Sequence, residues 1–217
     1  MSAELDLRTL IGLHPDSDAL KAFLDDLQAK TDAPASLDVK AYSDAVYFNY
    51  YALGISLMFA PEKGYNPAKS SPISPEKLSL DSIDLYNVPS SSQQTNKATS
   101  SRTAEVKFST YPLKPFTLHL ASALKDKEGK ELQRPATLQV SPDTTGKEFV
   151  AAFGEPDRKG GGAGPMNGSI GIWCEWSRDG VMVEFAGSEA RGPQAWERGK
   201  DALWRVITIF APKNMTE

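Results

Sequence analysis

Glu175 and Glu184 flank a turn signal at Asp179-Gly180, and no other pair in the chain is better spaced for chemistry. If Asp179 and Gly180 form a two-residue type I′ turn, Arg178 faces Val181, Trp176 faces Val183 and Cys174 faces Phe185. Glu175 then lies directly opposite Glu184. Like charges facing each other across strands cost a sheet roughly 0.2–1 kcal/mol. Such a pair fits a cation held between the two carboxylates, or a basic partner above them. The other reading is a solvated face on which Arg178, Arg191, Arg198 or Arg205 neutralises them. Trp173 and Met182 share that face. In an earlier hairpin of the same pattern, Tyr47, Asn49 and Tyr51 take the matching places. Large aromatics outside a core are typical of recognition surfaces. The alternative is that residues 88–140, or the other half of the chain, cover them. The candidate binding residues are therefore Tyr47, Asn49, Tyr51, Trp173, Glu175, Met182 and Glu184.

Other chemistry has little to build on. The chain has 2 histidines, His14 and His119, and 1 cysteine, Cys174. His14 falls at a predicted helix start and His119 in an alternating strand, and there is no G-x-S-x-G elbow. Cys174 falls on a predicted core face, where a thiol behaves as a small hydrophobe. H-x-x-x-H, C-x-x-C and EF-hand patterns are missing, so no metal is expected. Arg158-Lys159-Gly160-Gly161-Gly162-Ala163-Gly164 could cradle an anion on backbone N–H groups. Its lysine precedes the glycines, however, and no helix follows, so the stretch reads as a flexible loop. No catalytic residue and no cofactor are expected.

These residues sit in elements that occur twice. Phe23-Leu24 with Leu27 is followed by Val46-Tyr47, Tyr50, Gly54-Ile55, Leu57 and Phe59-Ala60. Shifted by about 126 positions, these become Phe149-Val150 with Phe153, then Ile172-Trp173, Trp176, Gly180-Val181, Val183 and Phe185-Ala186. A third match, Ile83–Tyr86 with Ile207–Phe210, falls at nearly the same spacing. The helical stripes are Ala19, Leu20, Phe23, Leu24 and Leu27, started by Asp16 or Ser17, and Phe149, Val150 and Phe153, started within Ser141–Thr144. Gly154-Glu155-Pro156 stops the second helix. Period-two alternation puts Ile172, Cys174, Trp176, Val181, Val183 and Phe185 on one core face. Val46, Phe48, Tyr50, Ile55, Leu57 and Phe59 make the other. Glu105–Tyr111 and Phe116–Leu120 read as further strands. Residues 89–103 and 157–171 read as mobile loops.

The 217 residues suit one large or two small domains, and 24% charged residues with a net charge of −4 are ordinary for a soluble protein. Nothing there implies nucleic acid or an anionic membrane. A single cysteine excludes an internal disulfide and favours a reducing compartment. The first residues lack a basic region followed by a long apolar run, and no apolar stretch is long enough to span a bilayer. A cytoplasmic location is expected.

Phe149-Val150-Ala151-Ala152-Phe153-Gly154-Glu155-Pro156 followed by the hairpin Ile172–Phe185 resembles the repeat of SmpA/OmlA-type and β-lactamase-inhibitor-type proteins. The resemblance covers about 141–210 and extends to 14–87. In the inhibitor proteins such modules occur in tandem and grip a partner protein with the sheet surface. This chain differs in its 88–140 insertion and in having no disulfide. The expected fold is α+β, a tandem pseudo-symmetric pair of α-β-β-β modules with antiparallel sheet and helices on one face. Residues 1–88 form the first repeat, 89–140 an insertion and 141–217 the second repeat. The expected function is a non-enzymatic intracellular binding protein of inhibitor, immunity or adaptor type, with a protein partner on the aromatic face. The alternative is a small-molecule-binding protein or unusual enzyme with a pocket between sheet and helices.

Overall fold

The computed structural model describes residues 5–213 apart from 33, 35, 89–106, 123, 126–127 and 163–170. The loop expected at 89–103 lies outside the described residues, as does most of that expected at 157–171. The fold class is α+β, with extensive antiparallel sheet and few helices. The chain divides into two compact units. One holds Leu7–Leu113 with Thr208–Ala211; the other holds Met1–Asp6, Lys114–Ile207 and Pro212–Glu217.

In the first unit, helix α1 (Asp18–Gln28) buries Leu20, Phe23 and Leu27. These positions are three and four apart, so they share one helix face. Strands β1 (Leu37–Ala41), β2 (Val46–Tyr50), β3 (Ile55–Pro61) and β4 (Leu78–Tyr86) pair in sequence order, each antiparallel to the next. The core face of β2 and β3 is largely the one that alternation marks. Val46, Ile55, Leu57 and Phe59 are fully buried, while Phe48 and Tyr50, beside the edge strand β1, are half-buried. A register shift between Met58 and Phe59 lets β4 bury Leu78 and Leu80 as well as Ile83 and Leu85. Such a bulge inserts one residue and re-aims those that follow.

In the second unit, a small hairpin of β5 (Phe116–His119) and β6 (Thr137–Val140) precedes helix α2 (Gly146–Phe153). Strands β7 (Arg158–Gly160), β8 (Trp173–Trp176), β9 (Val181–Phe185) and β10 (Trp204–Phe210) follow, in the sheet order β10-β9-β8-β7, with β10 belonging to this unit only up to Ile207. A four-residue helix, α3 (Ala195–Arg198), precedes β10. Phe149 meets Phe185 edge-on at 6.1 Å, and Phe153 lies 5.0 Å from Trp176, so α2 covers the aromatic face of the hairpin. The indole N–H groups of Trp176 and Trp204 donate to the carbonyls of Gly154 and Ser141 at 2.9 and 2.8 Å. Both polar tips of these buried rings are thus satisfied.

Several details differ from the sequence reading. The second helix starts one residue later, capped by Thr145, whose hydroxyl and backbone pair reciprocally with Glu148. Thr144 instead closes a turn by accepting from the N–H of Ser141. Residues 107–111, expected as the end of a strand, form none. Their backbone binds the ends of other elements, with Ser109 N–H on Tyr51 O and Tyr111 N–H on Tyr86 O. The short edge strands β1 and β7 were not expected from the sequence.

Candidate functional site

The connection between β8 and β9 is four residues long, 177–180, and not two. Trp176 pairs with Val181, Glu175 with Met182 and Trp173 with Glu184. Glu175 and Glu184 are therefore diagonal neighbours, and the expected face-to-face clash does not arise. The register has slipped by two residues. A slip of two preserves which side each residue faces, so all six core-face residues of this hairpin are buried as expected.

The outer face of the second unit is a set of charge pairs around one indole. Glu175 is only 6% exposed. Its carboxylate accepts from Ser177 Oγ at 2.6 Å and Arg158 Nη1 at 3.3 Å, with Lys213 Nζ at 3.8 Å. Glu184 pairs with Arg205 at 3.0 Å. Of the four arginines named as neutralising candidates, Arg205 fills that role at Glu184. Trp173 is half-buried and lies flat on Gly160, where a Cβ would come within 2.7 Å of the ring. The Arg158 guanidinium sits 6.0 Å from the centre of the same ring. Gly160, from the stretch that looked like a phosphate loop, thus makes room for Trp173. Trp196, 44% exposed, carries Lys159 Nζ at 5.7 Å.

The outer face of the first unit is a polar row flanked by phenols. Register aligns Asp38, Asn49, Ser56 and Asp84 across β1 to β4. Tyr51 OH donates to the Asp38 carboxylate at 2.7 Å, Asn49 Nδ2 to the Asp38 carbonyl at 3.3 Å and Ser56 Oγ to Asn49 Oδ1 at 2.9 Å. Thr208 Oγ1 donates to Asp84 at 2.7 Å. The next row is Lys40, Tyr47, Met58 and Ser82, with Tyr42 edge-on to Tyr47 at 5.9 Å. Phe108 stacks on Tyr86 at 3.8 Å and meets Tyr51 at 4.7 Å, so residues 107–111 pad one end of the face.

Electrostatics follow from these contacts. Burial, then the charge of Asp84, pushes the Tyr47 phenol above its ordinary value. Burial, then the hydrogen bond to Asp38, does the same for Tyr51. The hydrogen bond to Tyr51 raises Lys40. These groups keep their neutral-pH charge states. Burial pushes the Cys174 thiol up to about 11. Too little thiolate exists near neutral pH for this group to act as a nucleophile. Among the described residues no group of three His, Cys, Asp or Glu side chains could hold a metal ion.

All seven sequence-chosen residues sit on outer sheet faces or in the connection beside them: Tyr47, Asn49 and Tyr51 in the first unit, Trp173, Glu175, Met182 and Glu184 in the second. Tyr47, Tyr51, Trp173, Met182 and Glu184 are half-buried, while Asn49 and Glu175 are buried. Asp38, Ser56, Asp84, Thr208, Arg158 and Lys213 complete these arrangements and were not singled out. Alternation alone places Ser56 on the outer face; the others needed strand pairings the sequence did not disclose. No protein-family model, curated protein or solved structure matches the chain.

Proposed function

We propose that this protein is a non-enzymatic, intracellular binding protein that holds a protein partner against the outer faces of its sheets. The observation carrying the reading is the mixture of half-buried rings and already paired charges on those faces. Tyr47, Trp173 and Met182 offer apolar area at low entropic cost. Asp38, Glu184 and Arg205 are fixed by their partners, so binding does not have to order them first. We read the fold itself as a tandem pair of repeats. In support, a helix precedes a set of four strands twice along the chain: α1 before β1 to β4, and α2 before β7 to β10. Residues about 126 apart fall in matching elements, with α1, β2, β3 and β4 answering α2, β8, β9 and β10.

A second reading, a small-molecule site, has one feature in its favour. A shallow, open depression of about 420 Å³ is lined by Lys21, Leu24, Asp25 and Gln28 of α1 with Tyr50 and Leu53. Its openness makes it less apt than an enclosed pocket with convergent polar groups.

Affinity capture from the source cells separates the two readings. Wild type, Trp173→Ala, Tyr47→Ala and the control Val150→Ala would be compared, since Val150 is exposed on α2, which packs on the core face of the β8–β9 hairpin and not its outer face. A protein retained by wild type and the control but lost with the two aromatic variants supports the sheet-face reading. Identical capture by all four proteins, or capture of none, removes it.

A further inference from the structure

Strand β1 ends the strand order among the described residues, and its exposed edge carries a self-complementary pattern. The N–H of Tyr42 donates to the carbonyl of Ala45 at 2.8 Å, closing the β1–β2 hairpin. In an antiparallel ladder the backbone groups of alternate residues point to opposite sides. Counting back from Tyr42, residues 40 and 38 point their N–H and C=O toward β2. Leu37, Val39 and Ala41 point theirs away from it. The same three residues lie on the core side of the sheet, opposite Tyr50, Phe48 and Val46. Yet Leu37 is 45% and Val39 40% exposed. An edge of this kind is a template for another strand, and proteins normally block it.

We propose that β1 pairs with β1 of a second copy of this chain, antiparallel and centred on Val39, to form a two-fold symmetric dimer. This register places Val39 opposite Val39 of the partner copy and Leu37 opposite Ala41 at both ends. Every outward N–H and C=O of the three residues then gains a partner. On the other side of the sheet it places Asp38 opposite Lys40 twice. Those are the non-hydrogen-bonded positions, where cross-strand side chains come closest. A lysine on an edge strand ordinarily discourages pairing. Here Asp38 stands at the mirrored position and turns that block into a complement. The other terminal strand, β7, lacks this property. Pairing β7 with itself about its centre would set Lys159 against Lys159. A two-fold interface requires self-complementarity, and β1 supplies it in charge, apolar contact and backbone hydrogen bonding together.

The test is sedimentation equilibrium on the full chain up to millimolar concentration, with melting temperature as the check on folding. Wild type is expected to show a monomer–dimer equilibrium. Lys40→Asp sets aspartate against aspartate at both sites, and Asp38→Lys sets lysine against lysine. Each alone should weaken the dimer about tenfold or more. Mixed in equal amounts, the two variants should recover a dimer containing one of each, since every lysine then faces an aspartate. A monomeric wild type overturns the proposal. So does a dimer that neither single change weakens, or a mixture of folded variants that fails to associate.

Discussion

The connections at 51–54 and 177–180 share their length and closing glycine but have opposite anchors. Both span four residues, and both end on a left-handed glycine, Gly54 at φ 60° and Gly180 at φ 67°. Glycine alone occupies that region without steric cost. At the third position the two part company. Leu53 is fully buried, whereas its counterpart Asp179, 1% exposed, is held by Arg134 through two bonds of 2.7 and 2.8 Å. Arg134 also donates to the carbonyls of Phe153 and Ala121, and Ala121 N–H returns a bond to Asp179 at 2.7 Å. The first position differs in kind too. Tyr51 reaches across to Asp38, while Ser177 turns back on Glu175 two residues away. The glycine sets the path of the chain, and the site beneath it accepts either an apolar plug or a closed polar network.

That contrast predicts the largest effects. Asp179→Ala leaves the Arg134 guanidinium buried and uncompensated, so it should cost about 3–5 kcal/mol in denaturant unfolding. Leu53→Ala should cost about 2–5 kcal/mol through the cavity it opens. The two are sharpened by replacing both charged partners, Arg134→Met with Asp179→Leu. Well-packed apolar replacements should recover most of the loss, because a buried pair repays little beyond its own desolvation. Near-neutral behaviour of Asp179→Ala would break the comparison.

The two tryptophans of β8 test the faces instead of the loops. Trp176 is 2% exposed and packed on Phe153, so Trp176→Ala should cost about 3–5 kcal/mol. Trp173 is half-buried against a glycine and an arginine, so its replacement by alanine should cost nearer 1 kcal/mol. Equal losses would mean that Trp173 also belongs to a core. The outer face would then lose its standing as a recognition surface.

The sequence carried the faces better than the pairings, for a physical reason. Burial follows period two, and period two survives a slip of two residues. Ile172 through Phe185 could therefore be sorted correctly with the wrong register. The register depended on whether Asp179-Gly180 made a tight turn. In the structure Asp179 instead pairs with Arg134, 45 positions away, inside a four-residue connection. No local pattern reports such a partner. The edge strands were missed for another reason: β7 is three residues of Arg-Lys-Gly, and β1 carries charge at alternate positions. At the candidate site the aromatic members were legible from composition and alternation. The burial of Asn49 and Glu175 was not.

Gly54 is also crowded by main chain from outside its connection. A Cβ on Gly54 would come 2.4 Å from Ser109 O and 2.6 Å from Tyr111 N. Gly54→Ala therefore combines a left-handed backbone with a collision against main chain. It should cost about 1–3 kcal/mol, and more if residues 107–111 detach. Detachment would free the rings of Tyr51 and Tyr86 from Phe108, so the variant should quench more readily in tyrosine fluorescence. Stability loss without that change would show that the segment stays in place and the strain is absorbed locally.

The smallest effect concerns the helix starts. α1 begins at Ser17, whose hydroxyl makes no capping bond and has no hydrogen-bond partner among the described residues. α2 begins with a full capping box, in which Glu148 accepts from both the N–H and the hydroxyl of Thr145. Those two bonds, the hydroxyl first, hold the Glu148 carboxyl below its ordinary value. A lowered folded value means the stabilisation is present above the ordinary glutamate range, near 4.3. It is lost as pH falls through the folded value. Glu148→Gln keeps the shape and an accepting oxygen but removes the charge. It should lower the melting temperature slightly at neutral pH and leave it unchanged in strong acid, where wild-type Glu148 is itself protonated. Ser17→Ala, removing a hydroxyl that caps nothing, should have no such pH dependence. If the difference between Glu148→Gln and wild type is the same at both pH values, the carboxylate charge contributes nothing. The two helix starts would then be held equally by their packing.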